Sequence, residues 1–362
     1  MAEARVIPLH GADREAPRRR RGSAEHARAA AASLAEPTAS GPESSGPESS
    51  GPESSGAESS GAESSGPARE PSQGAHAAEP TRAGWEDRLA EFVGFARRRL
   101  QGDYQVDEFG FDPDLTDHVL MPPLRPLYEK WFRVETIGMH NVPGEGGALI
   151  VANHSGTLPL DATMTAFALR ADHPKHRHLR MLGADLVFKT PVLGALARKS
   201  GQTLACNPDA ERLLTSGQLV GVWPEGFKGI GKPFKDRYKL QRFGRGGFVS
   251  AALNTGVPII PCSIVGAEEI YPKIGDIKAL ARLFGFPYFP VTPFFPWLGP
   301  LGAIPLPSKW YIEFGEPIRT DVYGEHAADD PMLVFNLTDQ VRETIQQTLY
   351  RLLTQRRNVF LG

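Results

Sequence analysis

The stretch Val151–Ala162, VANHSGTLPLDA, decides the fold and contains the first candidate site. It ends an apolar run, GALIVAN, and leads into PLDATMTAFALR, where apolar residues recur at helical spacing. His154 follows the predicted strand, and Asp161 lies near the first turn of the predicted helix. An imidazole with an ordinary pKa of roughly 6.5 is a natural general base, and a carboxylate bonded to one ring nitrogen leaves the other nitrogen free for a proton. This pair alone still favours a turn histidine bonded to the backbone.

Strand-like and helix-like segments alternate around this stretch. The predicted strands are FRVETIGM, GALIVAN, HLRMLGA, QTLAC, QLVGVWPEG, VPIIPCSIVG and WYIEFGEPI. The predicted helices are PLDATMTAFALR, PVLGALARKSG, PDAERLLTSG, FGRGGFVSAALNTG and a last helix that starts at Asp330-Pro331 with its inward residues at Val334, Leu337, Val341, Ile345, Leu349 and Leu352. Such alternation predicts a single α/β domain with a central, mostly parallel sheet flanked by helices.

The composition divides the chain into four parts. Residues 1–83 are rich in Ala, Ser, Gly, Pro and Glu around the repeat GPESSGPESSGPESSGAESSGAESS, a composition that predicts a disordered tail. Residues 84–130 form a predicted N-terminal helical segment. Residues 131–325 form the α/β domain, and residues 326–362 form a C-terminal helix that packs on it.

Charge and cysteine content exclude some classes of protein. The net charge of -2 argues against a nucleic-acid binder. Two cysteines, Cys206 and Cys262, provide neither a disulfide framework nor zinc spacing and fit a reducing compartment. Three histidines, His173, His176 and His178, lie among basic residues that oppose a cation, so we expect no metal site. The sequence thus predicts a cytoplasmic protein.

Two apolar segments are candidates for contact with a membrane. Residues 283–307 belong to an uncharged, aromatic-rich stretch whose recurrent prolines rule out a membrane-spanning helix, which leaves an apolar loop. This loop either folds onto the core or dips into the membrane interface. Residues 85–100 predict an amphipathic helix that either packs on the domain or lies on a membrane, with one stripe formed by Trp85, Leu89, Phe92, Val93, Ala96 and Leu100.

A second polar motif, PEGFKG, follows the predicted strand LVGVW. Because ligands of open α/β sheets bind beyond the carboxyl ends of strands, this motif and NHSG mark the expected site. The following residues are strongly basic, which is typical either of a solvated face or of an anion site. This basic run comprises Lys228, Lys232, Lys235, Arg237, Lys239, Arg242 and Arg245.

Four blocks, in order, make the chain resemble the glycerolipid acyltransferases of the lysophospholipid and glycerol-phosphate type. VANHSGTLPLDA is similar to the family's His-Asp block, and LGADLVFKTPVLGALARKSGQTLACN is similar to its second block. VWPEGFKG resembles the F-P-E-G-T-R block, and GVPIIPCSIVG resembles the V-P-I-x-P block. The resemblance covers roughly residues 131–317.

The resemblance implies acyl transfer from acyl-CoA or an acyl carrier protein to a lipid hydroxyl, with no cofactor besides this co-substrate. By this resemblance His154 is the base and Asp161 orients its ring. The implied substrate-binding residues are Asn153, Ser155, Asn207, Glu225, Gly226 and Lys228. The basic run suits the phosphates of acyl-CoA, with Lys232, Lys235 and Arg237 as candidates. The implied location is the cytoplasmic face of a membrane, where the protein is peripheral.

The sequence departs from the family pattern at three places. Six residues separate His154 from Asp161 where the family has four, and Pro159 stands at the family's Asp position. Asn207 replaces a basic residue, and Lys228 replaces an arginine, which removes a phosphate-binding fork. These changes favour a neutral mono- or diacylglycerol acceptor. The alternatives are a lysophosphatidic acid acyltransferase and a catalytically silent lipid-binding protein of the same fold, the second if Asp161 fails to reach His154.

Overall fold

The computed structural model describes residues 85–190 and 192–362. The predicted disordered tail at 1–83 therefore lies outside the described residues. The helices are α1 (Trp85–Gln101), α2 (Pro113–Leu115), α3 (Leu160–Asp172), α4 (Asp185–Lys189), α5 (Leu193–Lys199), α6 (Asn207–Thr215), α7 (Phe227–Ile230), α8 (Gly247–Thr255), α9 (Lys278–Phe284) and α10 (Pro331–Gln355). The strands are β1 (Glu135–Ile137), β2 (Ala148–Ala152), β3 (Leu179–Gly183), β4 (Thr203–Leu204), β5 (Leu219–Val222), β6 (Ile259–Val265), β7 (Gly275–Asp276), β8 (Pro290–Val291) and β9 (Tyr311–Phe314).

The main sheet of the described region has the strand order β1-β9-β6-β2-β5-β3-β4. The five strands from β6 to β4 are parallel, whereas β9 is antiparallel to β6 and parallel to β1. Strands β2 and β6 are buried along their whole length and carry apolar runs, as central strands covered on both faces do. The predicted α/β class with a mostly parallel sheet is confirmed.

Helices cover both faces of this sheet. On one face, Ile150 and Ala152 of β2 pack with Met164 and Phe167 of α3. On the other face, Leu149 and Val151 of β2 pack with α6, α8 and α10. The sheet therefore lies between two apolar cores, and β2, which leads to His154, runs between them.

Helix α10 follows its predicted pattern. The Asp330 carboxylate accepts hydrogen bonds from the backbone N–H groups of Met332 and Leu333, and Pro331 occupies the first helical turn, where its missing N–H costs little. All six residues predicted to face inward are buried, namely Val334, Leu337, Val341, Ile345, Leu349 and Leu352.

Several local predictions differ from the structure. At the end of the predicted helical segment 84–130 the chain forms a 3₁₀ turn at Pro122–Leu124 followed by a π-helical turn at Leu127–Trp131. Helices α4 and α9 and the hairpin β7–β8 were not predicted, because each is too short for its periodicity to be detected. The predicted loop 283–307 includes the end of α9, strand β8 and a 3₁₀ turn at Gly299–Ala303.

Both apolar segments leave large side chains in solvent. In α1 it is Phe95, outside the predicted stripe, that is buried, whereas Leu89, Phe92, Val93 and Leu100 are exposed. In the 283–307 segment the exposed side chains include Leu283, Phe284, Phe286, Phe294, Trp297, Leu298, Leu301 and Ile304. No helix of the described region is long and apolar enough to cross a membrane.

Candidate active site

His154 and Asp161 meet despite their long separation in sequence. His154 lies just beyond the end of β2, and Asp161 is the second residue of α3, where its side chain is fully buried. The His154 Nδ1 atom is 2.7 Å from Asp161 Oδ2. The same carboxylate accepts the backbone N–H groups of Ser155 and Ala162, both at 2.8 Å. This arrangement holds the imidazole with Nδ1 bonded to the carboxylate and leaves Nε2 outside that hydrogen bond.

The loop between the two residues turns tightly to bring them together. Gly156 and Thr157 both have positive φ, at 93° and 65°. A Cβ on Gly156 would lie 2.7 Å from the carbonyl oxygen of Ala267, so only glycine fits without displacement. Leu158 is partly exposed at the tip of the loop. The turn thus accommodates the two additional residues without separating His154 from Asp161, a pair that we call the dyad. The start of α3 places the Asp161 carboxylate against the imidazole.

Three neighbouring segments bind Thr157. Its backbone N–H donates to the carbonyl of Ile230 at 3.1 Å, and its hydroxyl donates to the carbonyl of Tyr271 at 3.3 Å. The hydroxyl of Tyr288 donates to the Thr157 carbonyl at 2.6 Å. Burial raises the pKa of Tyr288 well above its usual value, so this hydroxyl remains a donor at neutral pH. Hydrogen bonds from three segments therefore hold Thr157 in its strained, positive-φ conformation.

Glu225 supports His154 through the backbone. Its buried carboxylate accepts the His154 N–H at 2.9 Å and the Gln241 N–H at 2.6 Å. The Lys232 Nζ atom lies 3.6 Å from the second oxygen. Both oxygens are thus occupied within the protein, and Glu225 holds the backbone at His154 in place. The prediction that its carboxylate binds substrate is not supported by this placement.

Lys232 is part of a buried ionic cluster. Its Nζ atom lies 3.1 Å from Glu268 Oε1 as well as near Glu225. Burial raises the pKa of Glu268 to about 7, although Lys232 opposes that shift. The prediction that Lys232 contacts a phosphate of acyl-CoA is wrong for this structure, because its ammonium group is buried and already paired with two carboxylates.

Two further predicted substrate ligands are also buried. The Asn153 side chain donates to the Ile264 carbonyl at 3.0 Å and accepts the Ile264 N–H at 2.7 Å, so its fully buried amide links the end of β2 to β6. The Ser155 hydroxyl is buried and has no hydrogen-bond partner among the described residues. Trp223 lies beside the dyad with its ring centroid 6.1 Å from that of His154, and its buried indole N–H is likewise unpaired in the described region.

The remaining predicted residues are accessible to solvent. Gly226 precedes α7 with a φ of 54° and, like Lys228 in that helix, is exposed. Lys235 and Arg237 are exposed around a 3₁₀ turn. Asn207 is exposed at the start of α6, against Gly247. The structure thus groups His154, Asp161, Ser155 and Glu225 closely, buries Lys232 beside Glu225, and leaves Lys228, Lys235, Arg237 and Asn207 exposed.

The three clustered histidines have separate partners. His173 bonds to the carbonyl of Val142, His176 to that of Arg170, and His178 to the carboxylate of Asp117. Within the described residues no group of three or more His, Cys, Asp or Glu side chains has a metal-binding arrangement.

Sequence reasoning missed Tyr288, Trp223 and Glu268 as neighbours of the dyad. Tyr288 lies within the apolar segment, more than a hundred residues from Thr157, and no local pattern signals their contact. Glu268 lies in the 3₁₀ turn Ala267–Glu269, shortly after β6. A charged residue just beyond the carboxyl end of a largely apolar strand was the one signal available.

Comparison with known proteins identifies the family. Residues 133–265 match the family model described as Acyltransferase. An uncharacterized protein of Mycobacterium tuberculosis is 62% identical over 274 residues, which cover 76% of this chain and 76% of that protein. A protein of Bos taurus described as a DGAT1/2-independent enzyme synthesizing storage lipids is 27% identical over 191 residues, 53% of this chain and 54% of that protein.

One solved structure is also similar. It is the 1-acyl-sn-glycerophosphate acyltransferase PlsC from Thermotoga maritima, with a TM-score of 0.46 and 16% sequence identity, and the match covers 76% of this chain and 99% of that chain. The chain belongs to the acyltransferase family, whose model matches residues 133–265. It is an acyltransferase, and the resemblance inferred from the four sequence blocks is confirmed.

Proposed function

We propose that this acyltransferase transfers a fatty acyl group from acyl-CoA, or from an acyl carrier protein, to a hydroxyl of a glycerolipid. The observation that carries the proposal is the 2.7 Å contact between His154 Nδ1 and Asp161 Oδ2 across a loop two residues longer than the family pattern. A catalytically silent protein would have no need to restore this contact. The geometry therefore favours an enzyme over the lipid-binding alternative.

The proposed reaction needs one base and no cofactor. His154 Nε2 takes the proton of the acceptor hydroxyl while Asp161 accepts a hydrogen bond from Nδ1 and stabilises the imidazolium. The acceptor oxygen attacks the thioester carbonyl, the new ester C–O bond forms, and the C–S bond breaks. The sulfur leaves with the proton returned from His154. The buried Asp161 and the neighbouring Trp223 keep the ring orientation fixed during both proton transfers.

The acceptor is proposed to be a neutral mono- or diacylglycerol. Asn207, which replaces a basic residue of the family, lies against Gly247 without a charge to offer. Lys228 is an exposed point charge, not a fork that binds phosphate at two points. The relative in Bos taurus, described as synthesizing storage lipids, agrees with a lipid acceptor of this kind.

The enzyme is proposed to act as a peripheral protein on the cytoplasmic face of a membrane. The exposed side chains of α1 and of the 283–307 segment supply the contacts, because apolar and aromatic groups of this size gain free energy at a lipid interface. Tyr288 links the 283–307 segment directly to the loop of the dyad. Substrate drawn from the bilayer would thus arrive beside His154.

The test is an acyl transfer assay on purified protein with monoacylglycerol, diacylglycerol and lysophosphatidic acid as acceptors, each with acyl-CoA and acyl carrier protein as donors. We expect transfer to a neutral glyceride. His154→Ala should reduce kcat by roughly a hundred- to ten-thousandfold, the usual contribution of a positioned base, and Asp161→Asn should give a loss in the same direction.

The matched control is His140→Ala, which removes a histidine outside the site. Unchanged transfer by His154→Ala would remove the base assignment. A preference for lysophosphatidic acid over both neutral acceptors would overturn the proposed acceptor while leaving the base assignment intact.

A further inference from the structure

A surface cleft lies apart from His154 and Asp161. It has a volume of about 450 Å³ and lies between the loop Arg242–Gly246 and the first turns of α10. Drug-sized ligands occupy pockets of roughly 300–1,000 Å³, so this cleft has the capacity for a ligand as large as a nucleotide. Nothing in the proposed reaction of the dyad explains it.

The cleft is strongly basic. Arg242 and Arg245 line one wall and Arg342 of α10 lines the other, against a single carboxylate, Asp339. Arg242 and Arg245 form no ion pair with any described residue, and the Arg342–Asp339 contact is long, at 3.8 Å. A cleft lined by three guanidinium groups, two of them without a carboxylate partner among the described residues, suits phosphate recognition, because each group offers a planar fork of donors.

The cleft also offers an aromatic surface. Phe335 lines it and is 60% exposed, and Val334 and Pro331 complete the apolar part of the wall. An exposed phenylalanine beside arginines can bind a planar heterocycle, since the face of the base stacks on the ring. A simple phosphate would use the arginines alone, whereas a nucleotide would use both surfaces.

The wall that carries Arg242 is bonded to the active site. The N–H of Gln241, one residue before Arg242, donates to Glu225, and Glu225 in turn accepts the N–H of His154. The Gly244 N–H also reaches the Pro224 carbonyl at 3.4 Å. A ligand in the cleft is therefore anchored beside the segment that positions the base, and a long flexible arm would connect the two places.

We propose that this cleft binds the phosphorylated adenosine of acyl-CoA. The inference rests on the proposed function and specifies its donor. The arginines bind the phosphates, Phe335 stacks on the adenine, and the pantetheine arm places the thioester beside His154. The site replaces the predicted contact with Lys232, which is buried.

Calorimetric binding of free coenzyme A, pantetheine and inorganic phosphate tests the inference without acyl transfer. We expect coenzyme A to bind much more tightly than pantetheine. Arg242→Ala and Arg342→Ala should each weaken coenzyme A binding roughly tenfold, the effect of one charge-assisted hydrogen bond. Asp339→Asn should tighten it, because it removes the opposing charge. Arg319→Ala, an exposed arginine on another loop, is the matched control, and thermal melting confirms that each variant folds.

Equal affinity of the parent, Arg342→Ala and Asp339→Asn for coenzyme A would overturn the assignment. The assignment would also be wrong if the arginine variants lost binding only to phosphatidic acid vesicles and not to coenzyme A. That result would assign the cleft to a lipid headgroup. If His154→Ala leaves transfer unchanged while coenzyme A binding still depends on Arg342, the base assignment is wrong and the assignment of the cleft is retained.

Steady-state kinetics gives a further test. Arg342→Ala should raise KM for acyl-CoA but leave KM for acyl-pantetheine unchanged.

Discussion

Thr157 is the residue on which the geometry of the dyad depends. A threonine with a φ of 65° lies in the left-handed region, where a β-branched side chain is strained by roughly 1–3 kcal/mol. Hydrogen bonds to Ile230, Tyr271 and Tyr288 compensate for this strain. These bonds come from three different segments, so the loop length alone does not determine where Asp161 lies.

Tyr288→Phe tests this support at the residue scale. The change removes one hydrogen bond to a part-buried carbonyl and keeps the ring, which lies 4.5 Å from the Lys273 ammonium. Leaving such a carbonyl unpaired costs about 1–3 kcal/mol, and a loosened His154–Asp161 contact should lower kcat by roughly three- to thirtyfold. KM for the donor should change little. Steady-state kinetics with the preferred acceptor measures both constants.

Tyr350→Phe, at an exposed position of α10, is the control for that substitution. If Tyr288→Phe lowers the melting temperature but leaves kcat and its pH profile as in the parent, the tyrosine has a structural role only, and the proposed support of the dyad is wrong.

At the scale of elements, a buried ionic cluster ties the segments around the site together. Lys232, after α7, contacts Glu225 after β5 and Glu268 after β6. Next to it, Glu269 pairs with Arg356 at the end of α10, at 2.9 Å. Buried ions of this kind contribute little net stability but define one arrangement, because breaking any pair leaves a charge without a partner. The cluster therefore sets the register of these segments around His154.

The pH dependence of stability reports on this cluster. The Glu268 pKa rises on folding from 4.5 to about 7, so the folded chain binds the proton more tightly than the unfolded chain. This contribution to stability is complete below pH 4.5 and is lost as the pH rises to about 7. In Glu268→Gln the slope of the unfolding free energy over this range should be smaller. Urea unfolding at several pH values measures it.

Glu316→Gln, at an exposed carboxylate, provides the reference and should retain the slope of the parent. Identical slopes in the parent and in Glu268→Gln would show that Glu268 does not gain a proton on folding.

At the scale of the whole molecule, apolar side chains are exposed in two segments, and one of them contacts the loop between His154 and Asp161. The 283–307 segment contacts the dyad loop through Tyr288, and Trp297 and Leu298 within it are 72% and 53% exposed. Phe92 and Val93 of α1 are exposed as well. If both segments make the proposed contact with a membrane, removing their exposed apolar side chains should weaken binding to lipid.

Vesicle binding tests this arrangement. Trp297→Ser with Leu298→Ser, and separately Phe92→Ser with Val93→Ser, should each weaken co-sedimentation with phosphatidylcholine vesicles by about tenfold or more, because each pair removes a large buried apolar area at the interface. Val322→Ser, at a 60% exposed position elsewhere, should have no effect. Binding that is equal in all variants would exclude both segments from the membrane contact.

The order of strands and helices was predictable because it depends on local periodicity. Helix α10 shows this most clearly, since its apolar stripe and its Asp330-Pro331 start are both encoded within one segment. The four motif blocks likewise predicted the family and the identity of the dyad. The sequence of α1 did not predict whether its apolar stripe is buried or exposed. An amphipathic pattern indicates which face of a helix is apolar but not which partner covers that face.

The sequence by itself determined the α/β class and the order of its longer elements, because these depend on periodicities within short segments, and the resemblance of four motif blocks pointed to His154 and Asp161. Only the tertiary structure decided that the longer loop returns Asp161 to the imidazole, since the bonds that shape it come from Ile230, Tyr271 and Tyr288. It also decided that Asn153, Glu225 and Lys232 are bonded within the protein. A polar residue at the end of a strand can bind either substrate or protein, and which of these occurs depends on partners that folding brings from distant parts of the chain.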